Sequence, residues 1–397
     1  MRMSFDPMTI EHLGIKMYSR LPNAVAELVA NSYDADAHRV EVQVGSAAGG
    51  NVVVSDDGHG MSRDDLADKY LRIGRNRVKD GDKFSEGGRR VAGKKGLGKL
   101  ALFGIGSRVS VRTKRKGAPV GIEIVLDWDK MLVAGGNYEP AESEYAADPH
   151  DHGTDVTISQ LKRKTKVNPL ELANSLARLF NHSDDDFALV VTDGMGPELG
   201  VDRDRRYKAF AEEGHWKVPE DFGDALQSPV GKKLKGVVFA SQKPLPADLR
   251  GVAIYVNGRL ANEGEFYGVP ESSQSMSYIT GYVDADFIDD MEEDVISTDR
   301  RSLSWGNPAL DDFHEDMERL IREAAVFRRK LRGPARKREV KRNLGVDVDA
   351  WPDTIRSSNE RSGTRQVLNA LVSPDSTISD DDAKEIGLIR FGSVVGV

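Results

Sequence analysis

The first third of the chain changes from helical to strand periodicity within a few residues. Apolar residues recur every three or four positions over 23–37, which predicts an amphipathic helix. Residues 40–44 then alternate apolar and polar side chains, and 52–55 follow a glycine-rich turn, so we predict two antiparallel strands. Residues 61–98 are polar and rich in glycine, with one short helix predicted over 66–71. Because this stretch is too long for an ordinary connection, we interpret it as a functional loop.

A second helix and three further strands complete the pattern before residue 165. The apolar helix is predicted over 100–105, and the strands around 108–113, 121–127 and 154–160. This order lacks the regular βαβ alternation of a dinucleotide-binding fold. It predicts the α+β class, a sandwich of one mixed sheet with helices on one face.

The rest of the chain predicts a second α+β unit. Its helix and three strands are predicted over 169–180, 236–240, 252–257 and 278–284. A charged amphipathic helix is predicted over 311–331, continuing into a basic segment. Residues from 345 onward are rich in Ser, Asp, Thr and Gly, which predicts a loosely packed tail.

Composition narrows the class of protein. The chain has 397 residues, of which 39% are hydrophobic and 30% charged, so it can bury a sizeable core. It has no cysteine, which excludes disulfides, thiolate nucleophiles and cysteine-based zinc sites. No apolar run approaches the roughly 18–20 residues that span a membrane, and the N-terminus lacks a signal-peptide pattern, so we expect a cytoplasmic protein.

Charge is spread unevenly along the chain. The net charge of −8 gives no general attraction for nucleic acid. Seven acids lie within 284–294, whereas 328–342 holds nine bases and one acid. This basic run is a possible nucleic-acid contact, and a solvated helix end is an equally ordinary interpretation.

The predicted helix over 23–37 carries the first group of chemically capable residues. Glu27, Asn31 and Asp34 lie three or four positions apart and so share one helical face. A carboxylate and a carboxamide one turn apart can hold a water molecule and a hard cation. A solvated polar stripe is the ordinary alternative.

Two glycine motifs follow. Asp56 ends an apolar strand and is followed by Gly58 and Gly60, which allow a close approach to a flat ligand, although Asp-Gly is also common in turns. Glycines at 93, 96 and 98, with Lys99, precede the helix predicted over 100–105, where free amides and the helix dipole favour anions. A P-loop is excluded because Leu100 stands where magnesium binding needs Ser or Thr.

The order of these motifs resembles the nucleotide site of the GHKL ATPases: an ExxxNxxDA helix, a DxGxG turn, a long loop, and GxxGxG before a helix. This family includes gyrase B, MutL, the large heat-shock chaperone and sensor histidine kinases. Residues 153–156, Gly-Thr-Asp-Val, are similar to the family's late Gly-Thr motif. The resemblance covers roughly 10–165 and implies a Bergerat-type ATP-binding domain with ATP and Mg²⁺ as cofactors.

The resemblance also implies a role for each matched residue. Glu27 would be the general base that orients water, and Asn31 would bind Mg²⁺. Asp56 would accept the adenine amino group above Gly58 and Gly60, with Thr154 supporting Asp56 through a water. The lid amides of Gly93, Gly96 and Gly98, together with Lys99, would contact the phosphates.

Residues 166–305 resemble the transducer domain of MutL-like and MORC-like proteins, and 255–259 are similar to the VNGR strand end of MutL-type transducers. A transducer base would reach the γ-phosphate, and the candidates are the 297–301 segment, Lys232 and Lys233. We therefore predict an ATP-binding domain (1–165), a transducer-like domain (166–305), a charged helix with a basic end (306–345) and a loosely packed tail (346–397).

The expected function is that of a slow Mg-dependent ATPase. Its nucleotide state would drive lid closure and homodimerisation to act on a macromolecular partner, with DNA as one candidate. The alternatives are a nucleotide-sensing binding module and a chaperone-like protein that acts on protein clients. No membrane association is expected.

Overall fold

The structure is a computed structural model that describes residues 20–47, 49–72, 83–91, 98–134, 138–148, 150–181, 186–207, 210–271, 274–345 and 347–373. The chain divides into two compact units. The first unit comprises Met1–Ala209, Ile254–Glu263 and Asp284–Ser304, and the second comprises Phe210–Ala253, Gly264–Val283 and Trp305–Val397. Each unit therefore combines segments that are distant along the chain. The domains predicted from the sequence are instead continuous segments, and their boundaries stay predictions.

The first unit contains an eight-stranded mixed sheet. Its strands are β1 (Arg39–Val44), β2 (Val52–Asp56), β3 (Gly106–Lys114), β4 (Val120–Asp127), β5 (Ala141–Ala146), β6 (Gly153–Leu161), β7 (Ala188–Thr192) and β8 (Leu199–Gly200). They are ordered β5-β4-β3-β6-β2-β1-β7-β8. Within the described sheet only β1 and β7 pair in parallel, and the other neighbours are antiparallel.

Helices cover one face of this sheet. They are α1 (Leu21–Asp34), α2 (Gly98–Ile105), α3 (Trp128–Ala134), α4 (Pro169–Leu179) and α5 (Arg203–Tyr207), with a π-helical segment at Asp65–Tyr70. The valines at alternate positions of β1 are buried with the apolar face of α1, whereas Gln43 between them is exposed. The predicted α+β class is therefore confirmed, because alternation in the strands and helical spacing in α1 bury a single core.

A second sheet has five strands. They are β9 (Glu212–Val218), β10 (Lys235–Ser241), β11 (Gly251–Val256), β12 (Arg259–Glu265) and β13 (Ile279–Asp284), ordered β12-β11-β13-β10-β9. Short 3-10 helices are found at Glu220–Phe222, Gly231–Lys233, Ala247–Leu249, Gln274–Tyr278, Asp286–Asp290, Pro308–Leu310 and Trp351–Thr354. The strands predicted around 236–240, 252–257 and 278–284 are confirmed as β10, β11 and β13.

The charged helix of the second unit is α6 (Asp311–Leu344). It continues from the helical pattern over 311–331 through Pro334 into the basic end that was predicted up to residue 345. Beyond it, α7 (Ser358–Val372) packs Leu368 and Leu371 against Val340 of α6. Tertiary packing of the last turns of α6 therefore outweighs the local cost of the proline.

Part of the segment expected to be a loose tail is ordered. Residues 347–373 contain a 3-10 helix and α7, and Val348 contributes to the small core around Leu368. Ser357 caps α7 by accepting a hydrogen bond from the Glu360 amide. Within 358–372, the polar residues form the exposed face of the amphipathic helix α7. No described helix is both long and apolar enough to cross a membrane.

Candidate nucleotide-binding site

Strand register places Asp56 at the centre of a network of donors. In the ladder Asp56 lies opposite Thr154 of β6, and its Oδ1 accepts hydrogen bonds from the Thr154 amide (3.2 Å) and the Gly58 amide (3.0 Å). Its Oδ2 accepts a hydrogen bond from the Ser32 hydroxyl of α1 (2.7 Å). Burial raises the pKa of Asp56, and these three hydrogen bonds oppose that shift.

Asp56 retains the capacity to bind one further donor. An ionised carboxylate offers about four acceptor positions, and the described residues occupy three of them. An acceptor of this kind, partly buried beside a glycine turn, fits the exocyclic amino group of a flat base. The sequence assigned no role to Ser32, which lies at helical spacing with the apolar residues of 23–37. A polar residue within that face was the available signal.

Gly58 and Gly60 are required by close backbone contacts. A Cβ atom on Gly58 would lie 2.7 Å from the Ala35 carbonyl oxygen, and one on Gly60 would lie 1.9 Å from that of Lys114. Gly60 also has a φ of +64°, which favours glycine. The turn is tied further by the His59 amide, which donates to the Ala35 carbonyl at 3.0 Å. The two glycines therefore hold the segment after Asp56 against α1 and β3.

Thr154 contacts Asp56 more directly than predicted. Its backbone amide donates to the carboxylate at 3.2 Å, whereas its hydroxyl lies 2.9 Å from the Thr113 hydroxyl. Thr113 in turn accepts a hydrogen bond from the Met61 amide at 2.9 Å. The two threonines therefore connect β3 and β6 to the chain just beyond the glycine turn.

Glu27 and Asn31 lie one turn apart on α1, as their spacing predicts. Glu27 Oε1 forms an ion pair with Nη2 of Arg259, whose guanidinium is almost completely buried. No partner of the Asn31 carboxamide is found among the described residues, so this group is available to a ligand. Arg259 was assigned no role in the sequence, because nothing local to residue 259 indicates which carboxylate it meets.

A cavity lies beside this ion pair. It has a volume of about 270 Å³, including space open to solvent. Its lining residues come from three separate stretches of the first unit: Asn23, Ala26, Glu27, Leu179, Arg259, Leu260, Asp299 and Arg300. Arg300 is the candidate transducer base that lies nearest this site within its unit. Its neighbour Arg301 instead pairs with Glu263 at 2.9 Å.

The remaining predicted contacts are only partly described. Gly93 and Gly96 lie outside the described residues. Gly98 and Lys99 begin α2, which is consistent with a helix N-terminus at the predicted phosphate loop, although their side chains are not among the described ones. Lys232 and Lys233 belong to the second unit.

The loop between the two glycine motifs has an anchor that the sequence did not reveal. Asp36, in a left-handed conformation at the end of α1, accepts hydrogen bonds from the Ser85 hydroxyl (2.5 Å) and the Gly87 amide (2.7 Å). Arg89 donates to the Ala37 carbonyl at 2.6 Å, and Arg90 Nε pairs with Asp289 at 2.9 Å. Residues 83–91 are thus attached to α1 and to the acidic run.

Most of the basic run is engaged within its own unit. Arg328 is buried, with its guanidinium 3.8 Å from the centre of the Tyr278 ring. Four more of the nine bases form ion pairs with Glu213, Glu339, Asp347 or Asp349: Arg332, Arg336, Lys337 and Lys341. The exposed bases without an ion pair in the described chain are Arg329, Lys330, Arg338 and Arg342. Fewer positive charges of this run are therefore exposed without an ion pair than its composition suggests.

No group of three or more His, Asp or Glu residues in the described chain could hold a metal by itself. A Mg²⁺ ion that bridges nucleotide phosphates needs few protein ligands, since it keeps waters and phosphate oxygens around it. The unpartnered carboxamide of Asn31, one turn from Glu27, fits that requirement. The donor set therefore suits a metal that arrives with a nucleotide.

An α+β fold with a partly buried acceptor at one strand end and polar groups on the adjoining helix is compatible with a nucleotide-binding domain, and the family match below assigns that class. Residues 18–154 match the family model of the histidine kinase-, DNA gyrase B- and HSP90-like ATPases. This part of the chain belongs to that family, the GHKL ATPases, and the chain has MutL-like relatives. It therefore contains a GHKL ATP-binding domain.

Several curated relatives extend the comparison. HgiDII of Herpetosiphon aurantiacus, which its name describes as a proposed type II restriction enzyme, is 27% identical over 336 residues, covering 77% of this chain and 52% of HgiDII. The mismatch repair protein MutL of Limosilactobacillus fermentum is 31% identical over 148 residues, or 37% of this chain and 20% of MutL. The chain thus spans about half of HgiDII and about a fifth of this MutL.

A solved structure is also similar, the Aquifex aeolicus MutL ATPase domain complexed with ADP. The match has a TM-score of 0.37 and 14% identity, and it covers 67% of this chain and 92% of that one.

Proposed function

We propose that the chain binds ATP with Mg²⁺, hydrolyses it slowly, and uses its nucleotide state to close a lid and dimerise on a macromolecular partner. The observation that supports this most is the arrangement along α1. Ser32 of this helix donates to the partly buried Asp56, Asn31 is the residue directly before Ser32, and Glu27 lies one turn before Asn31. One rigid helix thereby joins a base-recognising acceptor to a carboxylate that can act on water.

Different residues bind the adenine base and the phosphates of the nucleotide. Asp56 accepts the adenine amino group, Gly58 and Gly60 let the base lie against the backbone, and Thr154 holds Asp56 in place. Gly93, Gly96 and Gly98 offer amides to the phosphates, and Lys99 adds a positive charge.

The residues proposed for hydrolysis lie in the middle and in the last turn of α1. Asn31 is the protein ligand of Mg²⁺, which when bound neutralises phosphate charge. Glu27 accepts a proton from the attacking water, and Arg300, on the wall of the same cavity, is our candidate for the γ-phosphate contact. Positioning and charge neutralisation are what phosphoryl transfer demands of a protein.

The test is ATP binding and phosphate release by the purified chain, with Mg²⁺ and with a chelator. We expect saturable ATP binding and slow, Mg-dependent turnover. Light scattering with and without ATP tests dimerisation, because a ligand that prefers the closed dimer shifts the population towards it. Absence of ATP binding would reject the proposal, whereas binding without turnover would favour the nucleotide-sensing alternative.

DNA is the partner that the relatives favour, since their names place them in mismatch repair and restriction. If the basic run binds phosphates, changing Arg329, Lys330, Arg338 and Arg342 together to Gln should weaken DNA binding and reduce its salt dependence. The matched control changes the ion-paired Lys337 and Lys341 to Gln. Equal effects of both variants would argue against a specific contact, and no binding at low salt would favour protein clients.

A further inference from the structure

A charged residue far away in sequence contacts the residue proposed as the general base. Arg259 begins β12, 232 positions after Glu27, and its Nη2 donates to Glu27 Oε1. Arg259 lies outside the stretch that matches the ATPase family model, which ends at residue 154. The ion pair therefore joins the ATPase domain to a segment that the family match does not include.

The two charges depend on each other. Arg259 is only 5% exposed, and Glu27 is its one ion-pair partner in the described chain. A buried guanidinium without a counter-ion is costly, so the pair is a strong constraint on both side chains. The described residues give Glu27 Oε2 no partner. One oxygen of the carboxylate is thus held by Arg259, and the other is available to water.

The turn that carries Arg259 is itself held firmly. Asn257 and Gly258 both have positive φ, and the Asn257 amide donates to Asp286 at 2.7 Å. The Gly258 carbonyl accepts a hydrogen bond from the Asn181 amide at 2.6 Å, next to a β-bridge between Phe180 and Arg259. The guanidinium is therefore presented to Glu27 from a rigid support.

We propose that Arg259 is a positioning residue for hydrolysis: it fixes the Glu27 carboxylate so that its free oxygen accepts the proton of the attacking water. This inference rests on the proposed ATPase function. Without Arg259 the glutamate side chain is free to rotate about its three side-chain bonds, and a misplaced base loses most of its effect. Arg259 acts on Glu27 and not on the nucleotide, so its removal should spare ATP binding.

The test compares Arg259→Met, Arg259→Lys and a control, Arg39→Ala, which removes an exposed arginine paired with Glu198. Methionine retains much of the volume without the charge, and lysine retains the charge without the planar fork. We expect turnover to fall about 10- to 100-fold in Arg259→Met, with ATP affinity within about threefold of the native protein. Arg259→Lys should recover part of the loss, and Arg39→Ala should match the native rate.

A double-mutant cycle separates positioning from a general structural role. The residual turnover of Glu27→Gln, followed over hours, should not fall further when Arg259→Met is added, since the base is already absent. Independent, multiplicative losses would overturn the inference, as would native turnover in Arg259→Met or a parallel loss of ATP affinity. Thermal melting checks that each variant is folded. If Arg259→Met is not folded, the turnover and ATP affinity of Arg259→Lys test the inference instead. If the native protein and Glu27→Gln hydrolyse ATP equally, it is the proposed function that fails.

Discussion

The two ends of the site on α1 are built differently. At the Asp56 end, two of the three hydrogen bonds come from backbone amides, and the third comes from Ser32 of the adjoining helix. At the Glu27 end, a single ion pair reaches a side chain 232 residues away. The first arrangement follows from strand register and a local turn, whereas the second requires a distant segment to be folded in place.

On the proposed roles, nucleotide binding and hydrolysis depend on separate parts of the chain. The Asp56 acceptor requires β2, β6 and α1 to be packed together, whereas the Glu27 carboxylate also requires the turn at 257–258, which presents Arg259 to it. Variants at the two ends should therefore separate ATP affinity from turnover.

Glu27→Gln should have the largest effect. Glutamine still accepts a hydrogen bond from Arg259 but cannot act as a base, so turnover should fall by about 100-fold or more. ATP affinity should stay within a few-fold of the native value, and the variant should accumulate as an ATP-bound dimer. Phosphate release, titration calorimetry and light scattering measure the three quantities.

Glu27→Ala is a useful companion variant because it leaves the buried Arg259 without its counter-ion. It should melt at a lower temperature than Glu27→Gln while showing the same loss of turnover. Native turnover in either variant would remove Glu27 from the role of base.

Asp56→Asn should mainly affect binding. The amide nitrogen of asparagine must face one of three donors, and a hydrogen bond to a charged group contributes about 1.5–3 kcal/mol, so ATP affinity should fall about tenfold or more. The control is Asp57→Asn, since the neighbouring Asp57 is exposed and accepts hydrogen bonds from the amides of His38 and Arg39 instead. Titration calorimetry that finds equal affinities for the two variants would refute the base-recognition assignment.

Gly60→Ala should have a smaller, indirect effect. The added Cβ meets the Lys114 carbonyl at 1.9 Å and the residue has a φ of +64°, so the turn must shift and Asp56 with it. Gly49→Ala is the matched control, with a φ of +72° and no atom within 4 Å of the added carbon. We expect the Gly60 variant to melt at a lower temperature than the Gly49 variant and to bind ATP more weakly. Identical melting curves would contradict the close contact.

Asp284 should affect only the stability of the support for Arg259. Burial raises its pKa to about 6, and Asn181, which donates to it at 2.7 Å, opposes that shift. Because the unfolded value is lower, the folded protein binds more protons between about pH 4 and 6, so stability falls as pH rises through this range and then levels off. Asp284→Asn should remove this dependence, which we expect to be a few degrees in melting midpoint, without changing turnover at neutral pH. A melting profile with the same pH dependence in both proteins would contradict the raised pKa.

Local patterns were sufficient for most of the fold. Alternation in 40–44 predicted β1 and helical spacing predicted α1, because these periodicities directly reflect which face is buried. The apolar run at 52–55 after a glycine-rich turn predicted β2. Short strands such as β5 and β8 were not predicted, since they are too short or too polar to show a period. The helical pattern over 311–331 stops short of Pro334, and packing against α7 carries α6 past that proline.

The sequence alone determined the order of the motifs, the α+β class and the grouping of Glu27 with Asn31, because these depend on spacing within one element. The tertiary structure decided that Ser32 serves Asp56, that Asp36 anchors residues 83–91, and that Arg259 reaches Glu27. Each of these contacts joins elements distant along the chain. Such contacts depend on strand register and packing. A local periodicity shows which face of an element is buried, but it does not identify the distant side chain that the face contacts.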